Sequence, residues 1–206
     1  MTAAASLRER LRIATAASHM RLHRHDGLAS AARGSIDLDD YRLLLMRLYG
    51  FHLSAEERLA GAVHRTGLDR GASRALLIER DLVALGVSPE AMARLPVTKL
   101  AIPSSDAGAL GALYVIEGSA LGGLQIAKAL EPVARDARRF FLGDLAWRAV
   151  WPALIARLDG MEAFAQEASD AISGAVATFE AFEDWMQDWR TAAAGVASAP
   201  RAQCDA

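Results

Sequence analysis

The segment Tyr114-Val-Ile-Glu-Gly-Ser-Ala-Leu-Gly-Gly123 constrains this chain more than any other stretch. Its surroundings read as helix, yet Gly118, Gly122 and Gly123 stand where a helix favours almost any other residue. Each glycine in a helix interior loses about 1 kcal/mol against alanine, so the three together forgo about 3 kcal/mol. Glycine is retained at such positions when a Cβ would collide with something brought close to the backbone. A flat ligand would meet that condition, and so would a second helix.

The rest of the chain narrows the choice. With 206 residues it has the size of one domain with a substantial core. Much of its 52% apolar content is alanine and only 6% is aromatic, which favours helix over sheet. Lys+Arg 23 against Asp+Glu 25 gives a net charge of −2 and no support for nucleic-acid binding. Cys204, the single cysteine, can form no internal disulfide, which suits a reducing compartment. Arg8, Glu9, Arg10 and Arg12 occupy the place of a secretory apolar core. The longest apolar stretch, around Gly108 to Ile116, stops at Glu117, short of the ~20 residues of a membrane span. The expectation is a soluble cytoplasmic protein, monomer or dimer, with no membrane association.

Punctuation along the chain predicts helices throughout. Ser6-Leu-Arg-Glu9 is a capping box opening a helix to His23 or Arg24, broken by Asp26 and Gly27. A short piece over Leu28 to Ala32 follows, then a long helix from Asp37 to Arg65 and another from Ala72 to Leu85. Ser88-Pro89 starts a short helix with proline at its first position. Ser105-Asp106 caps the glycine-bearing helix, expected to run unbroken to Leu130 before Pro132. Phe140 to Gly143 reads as a weakly helical or non-helical link, and Leu145 to Leu158 and Met161 to Trp189 as the last two helices. The prediction is an all-α domain of seven to nine helices over residues 1–190. The Ala, Gly, Ser and Pro composition of residues 191–206 predicts a disordered tail.

On the first helix, Leu7, Leu11, Ala14, Ser18 and Leu22 form the expected core stripe, with Arg12, Thr15, His19 and His23 on its flank. His19 therefore suits a cleft between helices, either as a half-buried structural histidine or as a ligand. Its i, i+4 spacing to His23 also permits a metal pair, although no Glu-x-x-His motif and no third ligand accompany it. His25, His52 and His64 read as surface or loop residues without a role.

Two motifs together carry a resemblance: Thr15-Ala-Ala-Ser-His19 on the first helix and Tyr114 to Gly123 on a later one. In that order, with Asp40-Tyr41, Tyr49 and the Phe-Glu-x-Phe-Glu-x-Trp run ending at Trp185, they resemble the haem oxygenase family. The bacterial branch that supplies bilin to bacteriophytochromes is the most similar. The resemblance implies a haem-oxygenase-like helical bundle with haem held between two helices. His19 would be the proximal iron ligand, with Arg12 facing a propionate and Thr15 and Tyr114 among the contacts. Gly118, Gly122 and Gly123 would present bare backbone to the other porphyrin face. Haem would be both cofactor and substrate, opened with O2 to biliverdin, carbon monoxide and iron. Electrons would come from a separate reductase or ferredoxin, and the product could pass to a bacteriophytochrome.

Two departures stand out. Ser119 occupies the position where many relatives carry an Asp that orders a proton-delivering water, and Glu117, about 200° around the helix, cannot substitute for it. The link from Phe140 to Trp147 is shorter than in relatives and bears on which meso carbon is attacked. Three other readings remain. One is a haem carrier or sensor of the same fold. Another is a thiaminase-like helical enzyme, which would need a core cysteine that Cys204 cannot supply. The last is a structural bundle in which Gly108, Gly111, Gly118 and Gly122 only permit close helix packing.

Overall fold

The computed structural model describes residues 5–68, 71–161 and 164–191. Among them it contains eleven helices and no strand. The order is α1 (Leu7–Arg24), α2 (Asp26–Arg33), α3 (Leu38–Thr66), α4 (Arg74–Ala84), α5 (Pro89–Met92) and α6 (Asp106–Gly118). There follow α7 (Ala120–Ala129), α8 (Glu131–Ala134), α9 (Arg139–Leu142), α10 (Trp147–Gly160) and α11 (Ala165–Met186). The all-α prediction holds; the number of helices exceeds the seven to nine expected. The link expected at Phe140 to Gly143 is the single helical turn of α9. From residue 192 onward the predicted tail, Cys204 included, lies outside the described residues.

The expected caps are in place. Ser6 accepts from the Glu9 amide at 3.2 Å, and Asp37 from the Asp40 amide at 2.7 Å. Ser105 accepts from the Gly108 amide at 3.1 Å and starts α6. Gly34 and Gly67 end α2 and α3 in the left-handed region, at φ +67° and +62°, where a side chain would be strained.

The glycine-bearing helix is not continuous. It ends at Gly118 and resumes at Ala120, with Ser119 at the junction. Two side chains take carbonyls at this bend. The Ser119 hydroxyl donates to the Ile116 carbonyl at 2.7 Å, and the Trp147 indole donates to the Glu117 carbonyl at 2.9 Å. The stretch Asp106–Ala129 is long and apolar enough to cross a membrane by length and composition, with mean hydropathy 1.3. Since 56% of its most apolar window is buried in the fold, core packing accounts for that composition.

Buried side chains form two clusters. One gathers Tyr41, Leu45, Ile78, Leu82, Leu130 and Phe140 from the α3–α4–α9 side. The other gathers Leu7, Leu11, Leu59, Leu113, Leu154 and Ala171 around α6 and α11. Phe182 and Trp185 of α11 pack against both. At the α6–α11 crossing the backbones touch. A Cβ on Gly111 would overlap the Ala171 carbonyl, and one on Gly174 would overlap the Gly108 carbonyl. The core stripe of α1 differs from expectation by one position: Thr15 is buried and Ala14 exposed. The Thr15 hydroxyl turns back to the Leu11 carbonyl at 2.8 Å, which lets a polar residue sit in the packed face.

Candidate functional site

A cavity of about 1040 Å³ opens beside α1 and is roofed by the α6–α7 bend. Its walls are mostly apolar, with Phe51, Phe140 and Phe179 among them. Of the predicted site residues, Arg12, Thr15, His19, Tyr114, Gly118, Ser119, Gly122 and Gly123 all line it.

α1 supplies one wall. It is tied to α11 by the Arg21 guanidinium, which donates to both carboxylate oxygens of Glu183 at 2.7 Å and to the Ser18 hydroxyl at 2.7 Å. This fixes the helix that carries His19. The His19 ring lies edge-on to Phe179, centroids 6.4 Å apart, and edge-on to His23 at 4.4 Å. Burial, and then the neighbouring His23, pull the His19 pKa below the ordinary 6.5. At neutral pH its imidazole is uncharged and offers a lone pair to a metal.

Cations gather at the end of the cavity near Tyr114. Burial raises the Tyr114 pKa, and Arg8 and Arg12 oppose that rise from nearby. Arg12 is mostly exposed and lies 3.7 Å from Glu9. Arg8 has the same access to the cavity and was not anticipated from sequence; its place one turn before Arg12 was the available signal. Two guanidiniums at an apolar slot suit a flat ligand carrying carboxylates.

The glycines that opened the argument meet three different surroundings. A Cβ on Gly122 would meet nothing within 4 Å, so that face is open to the cavity. On Gly118 it would touch the Trp151 ring at 3.4 Å, ordinary contact. On Gly123 it would strike the Phe141 carbonyl at 2.6 Å, so this glycine also serves packing against α9. The placement of α9 in turn depends on Asp81. This fully buried carboxylate accepts from the Arg139 and Phe140 amides, both at 2.9 Å.

Three wall residues besides Arg8 escaped the sequence reading. His52, expected at the surface without a role, is buried beside Phe51 and Phe140 and lines the cavity. Arg74, also lining it, pairs with Glu117 at 3.3 Å, both side chains more than 90% buried. A carboxylate closing an apolar run was the readable sign, because a buried charge requires a partner. Trp151, stacked between Trp147 and Tyr114, forms the floor under Gly118.

A neutral imidazole, a stretch of bare backbone, apolar walls and two guanidiniums lining one cavity together fit haem. The heme oxygenase family model matches residues 5–188. The chain belongs to the haem oxygenase family. It is 34% identical over 164 residues to a heme oxygenase from Xanthomonas campestris pv. campestris (strain 8004), covering 75% of this chain and 93% of that relative. Haem oxygenases open their substrate oxidatively, and this chain is a haem-degrading enzyme of that family.

Proposed function

We propose that this haem oxygenase binds haem in the cavity between α1 and the α6–α7 bend and opens it with O2 to biliverdin, carbon monoxide and iron. The observation that carries the reading is that the His19 imidazole and the open face of Gly122 line one cavity. Bound haem supplies the iron at which O2 is reduced and the ring carbon that is oxidised.

The protein's part is to hold, orient and exclude. His19 holds the metal through a neutral ring nitrogen. Arg8 and Arg12 anchor the carboxylates and so fix the rotation of the ring. Gly122 keeps side-chain atoms away from the distal face and leaves room for O2. The backbone at the bend would shape the space on that face of the ring, and Phe140 and Phe141 of α9 would limit the ring edge on their side. Arg74, paired with Glu117, brings a buried polar group to the cavity wall, where ordered water can be held. Ser119 contributes to shape: its hydroxyl already donates to the Ile116 carbonyl.

Electrons come from a separate reductase or ferredoxin. The protein works in the cytoplasm, and its biliverdin serves a bacteriophytochrome; the Gly118-Ser119 pairing motivates that finer placement. Aerobic turnover of the hemin complex with a reductant, followed by product chromatography, tests the reading. A biliverdin isomer is expected, and haem unchanged after repeated reduction in air would overturn it. The engaged Ser119 hydroxyl favours the second reading, a carrier or sensor, and surviving haem is the result that reading predicts.

A further inference from the structure

The five histidines separate by what their ring nitrogens do. His25 accepts from the Leu28 amide at the start of α2 and reaches the Met186 carbonyl at 3.1 Å. His52 is buried among aromatic rings, and His64 is exposed in the last turn of α3. His19 and His23 differ from these. Both line the cavity, and neither ring makes a hydrogen bond to any described residue. Their centroids are 4.4 Å apart, edge to face, from backbone positions about 6 Å apart along α1.

The cavity does not end at His19. It continues past His23 to Leu28, Ala29 and Ala32, while its other end reaches Ser6 and Arg8. The eighteen residues of α1 and its cap from Ser6 to His23 span about 26 Å of helix. A planar apolar ligand therefore has two registers along this wall, one centred on each imidazole.

We propose that His23 is a second axial ligand for haem, used when the ring lies one turn nearer α2. The inference rests on the reading of His19 and the cavity given above. In the His23 register the ligating residue would lie one helical turn, about 6 Å of rise, nearer α2 than His19. Haem is then held but not opened, and it reaches the productive register by sliding along the helix to His19. His23 is a binding residue and a point of capture. His19 is the ligand under which ring opening occurs.

The test uses the full chain with hemin, comparing wild type, His19→Ala, His23→Ala and the double variant. Affinity is read by optical titration, and ligation from the iron–histidine stretch of the ferrous complex by resonance Raman. His19→Ala should keep an iron–histidine band at a shifted frequency, bind hemin within about tenfold of wild type, and form no bilin. The double variant should lose the band. A His19→Ala protein that lacks the band, or matches the double variant in affinity, overturns the proposal. Both side chains are exposed, so the variants should fold, and far-UV circular dichroism checks that they do. Wild type without any iron–histidine band would instead remove the reading of His19 itself, which keeps the two failures distinct.

Discussion

The two halves of the glycine-bearing run use the same residue for opposite ends. At the α6–α11 crossing, Gly111 lets the backbones approach until a Cβ would enter the Ala171 carbonyl, and Gly174 of α11 does the same towards the Gly108 carbonyl. In α7, Gly122 faces open space. Helix packing and ligand binding were rival explanations of one sequence pattern; packing accounts for Gly111 on one side of the bend at Ser119, and on the other Gly122 faces the cavity proposed for haem. A glycine that only removes a steric obstacle to a neighbouring helix cannot be exchanged without breaking the fold. A glycine facing a cavity can be exchanged freely as far as folding is concerned.

The contrast can be broken most forcefully at the bend. Glu117→Ala takes the carboxylate from beside the buried Arg74 guanidinium and should destabilise the protein by about 3–5 kcal/mol in urea unfolding. A loss under about 1 kcal/mol would mean that the bend does not depend on this pair. Next comes Gly111→Val, which drives a branched side chain into the Ala171 carbonyl and should lose about 3 kcal/mol. Gly122→Ala should have the opposite sign. With nothing to strike, the methyl group should stabilise the protein without haem by about 1 kcal/mol through helix propensity. The same methyl crowds the O2 side of bound haem, so bilin formation should fall about tenfold or more while stability rises. If stability and turnover fall together, Gly122 belongs with the packing glycines.

The smallest effect sharpens the case of Gly123, which lies in α7 yet packs on α9. Burial pushes the Asp81 carboxyl above the ordinary range, although the Phe140 and Arg139 amides act against it. The fold therefore takes up this proton more readily than the unfolded chain does. Asp81's contribution is fully present below the unfolded carboxylate pKa and is lost as pH rises through the folded value. The stability difference between wild type and Asp81→Asn should shift towards wild type by under about 1 kcal/mol as pH is lowered from 7. A shift in the opposite direction would mean that Asp81 is held charged and anchors α9 by ion pairing with Arg139.

Much of the fold is legible in the sequence. Ser6, Asp37, Ser88 and Ser105 announced their helices because capping is local chemistry. His19 and Gly122 stood out because each departs from what a helix surface usually carries, and both line the cavity. The break at Ser119 was not legible, since no residue there interrupts a helix by itself. It is held partly by Trp147, thirty positions from the carbonyl it binds. His52 was misplaced for a related reason. From Leu44 to His52, α3 is buried on nearly every side, so the apolar period that separates inside from outside disappears. Arg74 gave no local sign because its meaning lies in Glu117, on another helix.

The cavity lies beside two apolar clusters that share Phe182 and Trp185. A flat substrate seated there becomes a third piece of core, and by mass action it stabilises the fold in proportion to its supply. Catalysis then destroys the piece that completes the structure. Each turnover should return the molecule to its looser form at the moment of product release, so the protein's lifetime would follow the availability of what it consumes.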